Sequence, residues 1–153
     1  MIETKRLKIY PASKEQMENL ISKQTSLELK TAYKEMFCGA VSHPDMWDWY
    51  ALWMIEIKKG THIGELCFKG VDEFGATEIG YGILENYQGH GYATEAVQGV
   101  VDWALNQNEI NFITAEVERE NIASVKVLEK SGFELTDKVG EEGPIYKKAK
   151  KIH

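Results

Sequence analysis

The stretch from Glu78 to Leu105 restricts this chain most, because a short apolar strand there runs through a glycine-bearing turn straight into a strongly amphipathic helix. Ala93, Ala96, Val97, Val100, Val101, Ala104 and Leu105 fall at i, i+3, i+4, i+7, i+8, i+11 and i+12, a full apolar stripe that must lie against a sheet. Beyond the helix, residues 112–117 read as another strand, and two strands joined through a helix are most economically parallel neighbours. The expected class is therefore α/β (α+β), with a mixed sheet.

The remaining segments fit that frame. Residues 5–10 alternate as a strand with Leu7 and Ile9 on one face, Pro11 ends it, and Ser13 is placed to cap a helix over 14–23. A second helical stretch is read over 27–37, with Gly39 and His43-Pro44 marking its exit. Two apolar runs, 51–57 and 63–68, flank Lys58-Lys59-Gly60-Thr61 and read as a hairpin, and a turn over 70–75 leads to the Glu78 strand. Asn121 caps a helix reaching Lys130, and Ser131-Gly132 ends it. Phe133 then opens a strand expected to pair with 145–148 across the loop at 140–144. Without repeats, linkers or low-complexity segments, and with 43% hydrophobic residues, the 153 residues are read as one domain spanning 1–153.

Charge narrows the partners. A net charge of −6, from 24 acidic against 18 basic residues, argues against a non-specific nucleic-acid binder and fits a cationic or amine-bearing partner. The start, Met1-Ile2-Glu3-Thr4-Lys5-Arg6-Leu7, has no apolar leader core, and no run of about 18 apolar residues occurs, so a cytoplasmic protein without a membrane partner is expected. Cys38 and Cys67 form no CxxC pattern, and His43, His62, His90 and His153 lack ligand spacing, so no metal is expected.

The turn Gln88-Gly89-His90-Gly91-Tyr92-Ala93-Thr94 is the chemical centre of the chain. Backbone N–H groups of such a turn, with the positive end of the following helix, cradle a pyrophosphate without a basic side chain. A Rossmann site competes for it, since Gly89-x-Gly91 follows a strand and opens a helix. That reading fails because the third glycine position is Thr94, the motif lies late in the chain, and little sequence remains for further βα units. A P-loop fails because no Gly-Lys-Ser/Thr follows.

The string Gln88-x-x-Gly91-x-Ala93 resembles the Gln/Arg-x-x-Gly-x-Gly/Ala signature of the GNAT superfamily of acetyl-CoA-dependent N-acetyltransferases. It is joined by Glu3-Thr4-x-Arg6-Leu7, by Glu78-Ile79-Gly80-Tyr81, by Gly91-Tyr92-Ala93-Thr94-Glu95-Ala96, and by Asn121-x-x-Ser124-x-x-x-Leu128-x-x-x-Gly132-Phe133. In that order the set is similar to the branch that acetylates the N-termini of ribosomal proteins and related amines. The resemblance implies a mixed sheet of about six to seven strands, splayed at the acetyl-CoA cleft and flanked by about four helices. It implies acetyl-CoA as co-substrate, with the pantetheine arm on the backbone of Ile83, Leu84 and Glu85. The phosphates would lie on Gln88, Gly89, His90, Gly91, Tyr92, Ala93 and Thr94, with Asn121 and Ser124 beside the coenzyme. The implied activity is direct acetyl transfer to a primary amine, either a peptide N-terminus or a small molecule, by a monomer or homodimer. The alternative is a catalytically silent acyl-CoA-binding module.

Acetyl transfer requires an uncharged nitrogen, whereas an ordinary alkylamine has a pKa near ~10.4, so a group must take its proton. Strand alternation puts Glu78, Gly80 and Gly82 on one face and Ile79, Tyr81 and Ile83 on the other. Two glycines in one apolar strand suggest a bulge, a close backbone approach by a ligand, or small residues for packing. Family members often place a base near this point, which makes Glu78 the first choice and Glu116 of the next strand the second; both also read as solvated strand residues. Ser124 is expected to bond the coenzyme sulfur or pantetheine, or to serve only as a first-turn polar group. A backbone N–H near Ile83 would stabilise the oxyanion. The tyrosine acid that many GNAT enzymes carry seven residues after the helix-initial asparagine is replaced here by Leu128. Tyr33, Phe37, Trp47, Trp49 and Trp53 read as core packing ahead of an acceptor cleft.

Overall fold

The computed structural model describes residues 1–151, so His153 lies outside the described residues. They form one eight-stranded mixed sheet with helices on both faces. The strands are β1 (Ile2–Glu3), β2 (Leu7–Pro11), β3 (Leu52–Ile57), β4 (His62–Phe68), β5 (Ala76–Ile83), β6 (Phe112–Glu116), β7 (Glu134–Val139) and β8 (Pro144–Ala149). They lie in the order β1-β2-β3-β4-β5-β6-β8-β7, antiparallel throughout except for the parallel pair β5–β6. The two-residue β1 is the strand added to the seven expected.

Among the described residues there are five α-helices: α1 (Lys14–Lys23), α2 (Leu27–Ser42), α3 (Trp47–Tyr50), α4 (Tyr92–Leu105) and α5 (Ile122–Lys130). α1 begins with a full capping box, Ser13 accepting from Gln16 N–H while the Gln16 side chain accepts from Ser13 N–H. α2 runs past the expected stop at Gly39 to Ser42, because the bare Gly39 face lets Tyr50 pack about where a side chain would stand, with Cδ1 3.4 Å from the Cβ position. It stops just ahead of Pro44, where the residue before a proline is biased away from helical backbone.

The period-2 pattern of the strands sorts the two faces. Leu7 and Ile9 of β2, Trp53 and Ile55 of β3, Leu66 and Phe68 of β4 and Ile79 of β5 meet α4 through Val97, Val100, Val101 and Ala104. Trp49, Trp53, Phe68 and Trp103 form an aromatic cluster in this layer, with Trp49 and Trp53 centroids 5.2 and 5.1 Å from that of Trp103. The opposite face, carrying Leu52, Met54 and Cys67, is covered by α1 and α2 through Met17 and Ala40, with Phe37 and Trp47 packed against it. Trp49 and Trp53 are thus core residues, and Tyr33, at the border of the second layer, reaches a polar side chain.

Candidate active site

β5 and β6 are hydrogen-bonded neighbours only over Ala76–Glu78 and Phe112–Thr114, although both strands continue beyond that point. β5 meanwhile stays paired with β4 as far as Ile83. The sheet therefore forks just past Glu78. Lys69 N–H donates to Glu78 C=O at 2.9 Å and Leu84 N–H to Ile63 C=O at 2.8 Å, so the even-numbered residues of β5 turn their backbone groups toward β4. By antiparallel alternation Tyr81 and Ile83 turn theirs toward the fork. The Ile83 carbonyl accepts from Gln88 Nε2 at 2.8 Å, which leaves the Ile83 N–H and both backbone groups of Tyr81 facing the gap. Leu84 N–H is already committed to β4, so the open edge is Tyr81 and Ile83 instead of the expected 83–85.

The fork opens into a cleft of about 410 Å³ lined by Tyr81, Gly82 and Ile83 from β5, by the turn and first residues of α4, and by the start of α5. Of the residues expected at the coenzyme, Ile83, Gln88, Gly89, Gly91, Tyr92, Ala93, Thr94, Asn121 and Ser124 line it, and Leu84, Glu85 and His90 do not. Gly89 and Gly91 have φ of 81° and 80°, left-handed backbone that suits glycine, and Gly91 is the N-cap of α4. The first intrahelical bond runs from Glu95 N–H to Gly91 C=O, so the N–H groups of Tyr92, Ala93 and Thr94 have no partner within the helix. A side chain at Gly89 would meet nothing within 4 Å. Three free amides at a positive helix end beside an unobstructed turn fit a pyrophosphate.

The N-terminal strands hold this turn from behind. Glu95 accepts from Thr4 Oγ1, from Arg6 N–H at 2.8 Å and from Arg6 Nε at 2.7 Å, and Arg6 Nη1 donates to His90 C=O at 3.0 Å. The Arg6 guanidinium also lies 4.4 Å from the Tyr92 ring centroid. Burial would push the Glu95 carboxyl up, but the donors from Thr4 and Arg6 together with the Arg6 charge outweigh it and hold the pKa below the ordinary value. This explains Thr4-x-Arg6 in the sequence. His90 turns its Nδ1 back to Gln88 C=O at 2.9 Å and stacks on Tyr92.

Asn121 caps α5, its side chain accepting from Ser124 N–H at 3.1 Å, and both residues also line the cleft. Tyr81, which sequence reasoning passed over although alternation put it on the Ile83 face, crosses the cleft to donate from its hydroxyl to Ser124 C=O at 3.4 Å. Burial raises the Tyr81 pKa, with the Ser124 side chain pulling the other way, so the phenol stays protonated. Leu128, at the position of the absent tyrosine, is core.

Neither expected carboxylate lines the cleft. Glu116 is folded under the β7–β8 loop, where it accepts from Glu142 N–H and lies against Gly140. Glu78 stands at the fork on the α1–α2 face, with one oxygen occupied by Lys69 Nζ at 2.6 Å. Burial alone would lower the Lys69 ammonium, but its hydrogen bond to Glu78 and the surrounding negative charge keep it above its ordinary pKa. The two glycines of β5 differ in purpose. Gly80 makes room for Cys67 Sγ and the Lys69 stem, 3.6 and 3.9 Å from its Cβ position, whereas Gly82 faces open space. β5 carries no bulge in its pairing with β4; the irregularity lies between Ile55 and Glu56 of β3. Among the described residues no group of three or more His, Cys, Asp or Glu is placed to hold a metal ion, and no helix is long and apolar enough to cross a membrane.

Known proteins share this arrangement. The N-acetyltransferase YjdG of Bacillus subtilis (strain 168), itself uncharacterized, is 39% identical over 92 residues, which cover 58% of this chain and 54% of that protein. The chain spans about half the length of the curated relatives it matches. Among solved structures, RimL, the ribosomal L7/L12 alpha-N-protein acetyltransferase in complex with coenzyme A, has a TM-score of 0.73 at 15% identity, covering 95% of each chain. A chimera of the spermidine N-acetyltransferase SpeG from Vibrio cholerae and hSSAT has a TM-score of 0.69 at 16% identity, covering 93% of each. At such identities these two likenesses speak for the fold alone. The sequence profile described as an acetyltransferase (GNAT) domain matches residues 6–134, from the arginine that braces the turn to the first residue of β7, and on that match the chain belongs to the GNAT acetyltransferase family.

Proposed function

We propose that the protein is an acetyl-CoA-dependent N-acetyltransferase in which a primary amine attacks the thioester directly. The observation that carries this reading is the fork itself: β5 loses β6 just where its Tyr81 and Ile83 backbone groups face a cleft that ends on the free amides of α4. An extended amide-bearing chain pairs with such an edge as another strand would, and an anion at its far end sits on the helix N-terminus. Bound acetyl-CoA supplies the activated acetyl group. The protein's own contributions are a backbone N–H at Ile83 for the developing oxyanion, the protonated Tyr81 phenol beside the leaving sulfur, and the cap at Asn121 that orients Ser124. A cytoplasmic location agrees with the use of this co-substrate.

The acceptor class is a primary amine, either a peptide N-terminus or a small molecule. RimL and the SpeG chimera, named for a ribosomal protein and for spermidine, share the fold and so leave the choice open. One observation favours the second reading, a silent acyl-CoA-binding module: Glu78 is tied to Lys69 and Glu116 to a loop. Thiol release from acetyl-CoA, followed with peptides, polyamines and aminoglycosides, separates the two. The proposal expects amine-dependent thiol release matched by an N-acetylated product in mass spectrometry. Tight coenzyme binding with no release on any amine would favour the module.

A further inference from the structure

Glu65 is a carboxylate that the mechanism above does not use. It lies on β4 directly opposite Gly82 of β5, the residue that both lines the coenzyme cleft and, for want of a side chain, leaves nothing within 4 Å on its own face. Opposed residues in a ladder project to the same side of a sheet, so Glu65, which does not itself line the cleft, stands one strand in from the fork on the α1–α2 face, the side away from α4, with only the bare Gly82 between. Three neighbours hold it. Tyr33 of α2 donates to its Oε1 at 3.4 Å, His62 Nε2 lies 3.5 Å from the same oxygen, and Met54 of β3 is its cross-strand partner. The Glu65 side chain is only 16% exposed, and His62 Nε2 is buried without a hydrogen-bond partner. The other acids on this side are committed, Glu78 to Lys69 and Glu56 to the Tyr10 hydroxyl.

A carboxylate largely withdrawn from water, without a strong cation of its own and across the ladder from a residue that lines the opening, suits an ammonium group. We propose that Glu65 receives the acceptor as a primary ammonium ion on the α1–α2 side of the fork and takes its proton during transfer. The inference rests on the acetyl-transfer reading and names its acceptor side. One ammonium proton first passes to a Glu65 oxygen, which frees the nitrogen lone pair; as the C–N bond then forms, the carbonyl π pair moves onto oxygen and the nitrogen becomes strongly acidic. Collapse of the tetrahedral species breaks the C–S bond, the electron pair leaves on sulfur as thiolate, and the second nitrogen proton passes through solvent to that thiolate. The positioning residues are Tyr33, which donates to one carboxylate oxygen, and His62, whose Nε2 lies beside the same oxygen.

Burial raises the Glu65 pKa, with His62 and the Tyr33 hydroxyl pulling the other way, and the Tyr33 phenol itself is pushed up to about 12, chiefly by burial. The charged and titratable groups around Glu65 are His62 and Cys67 on β4, Tyr33 on α2, Glu56 on β3 with its partner Tyr10, and the Lys69–Glu78 pair.

The test compares the wild type with Glu65→Gln and Tyr33→Phe, measuring kcat and KM on the amine panel from pH 6 to 9, acetyl-CoA affinity by calorimetry, and Tm. Glu65→Gln is expected to lower kcat by about 100-fold, in the usual range for a general base, with coenzyme affinity within about twofold of wild type. Tyr33→Phe is expected to move the acid limb of the pH profile upward, since it removes a donor that favours the carboxylate; packing changes alone would not do this. Retention of kcat within about threefold in Glu65→Gln, or a larger loss in Glu78→Gln, would overturn the assignment while leaving acetyl transfer intact. A wild type that binds acetyl-CoA but turns over no amine would instead remove the acetyl-transfer reading, and this assignment with it.

Discussion

The smallest unit that explains the turn is one carboxylate, Glu95. It ties the backbone and side chain of Arg6 and the hydroxyl of Thr4 to the first turn of α4, joining positions 89 to 91 residues apart. Hydrogen bonds to a charged group are worth about 1.5–3 kcal/mol each, and several converge here. Because the folded pKa of Glu95 lies below its unfolded value, this stabilisation is fully present above the unfolded pKa and is lost as pH falls through the folded one. Glu95→Gln should therefore lower Tm at pH 7 by several degrees, and the gap to wild type should narrow as the pH drops below about 4. Thermal melts across that range check it; a gap independent of pH would mean that the charge of Glu95 contributes nothing. At this scale the sequence was informative where motif residues stand close together, as with Asn121 capping Ser124. It was silent on Glu65, whose setting depends on β4 and β5 pairing in the one register that brings it opposite Gly82.

Among the elements, the legible ones carry their own local signals. The α4 stripe, the Ser13 cap, the Lys58-Lys59-Gly60-Thr61 hairpin and the Gly132 stop at φ 89° all act over a few residues and all stand in the structure. The arrangement that no periodicity announces is β8 lying between β6 and β7, since a period of two says which face is buried and nothing about the neighbour. The length of α2 was hidden for a related reason, its Gly39 being accommodated by Tyr50 from beyond the helix. The element that matters most for function is the unpaired reach of β5. Amide exchange should be fast at Tyr81 and Ile83 in the free protein and slow at Thr77, which lies in the β5–β6 pairing. Saturation with coenzyme A should slow Tyr81 and Ile83 selectively. Unchanged exchange at both would mean that the pantetheine does not use this edge.

Taken whole, the molecule is a sheet with two covered faces and one opening between them. The α4–α5 side holds the larger core and the anion cradle, and the α1–α2 side carries Glu65, Tyr33 and the Lys69–Glu78 pair. On the proposed reading a coenzyme entering from one side and an amine from the other meet at the fork, and the break in β5–β6 pairing organises the rest. The central claim is that the turn at 88–94 and this gap together hold acetyl-CoA. Calorimetric titration of acetyl-CoA into the wild type and into Gly91→Glu tests it most directly. Gly91 has a left-handed φ of 80° and its Cβ position is 3.4 Å from Arg6 Nη2, so a glutamate there would strain the turn and set a carboxylate against the phosphates. The expected result is sub-millimolar binding by the wild type and none detectable in a folded Gly91→Glu; no wild-type binding, or an equal Kd in the two, would contradict the account.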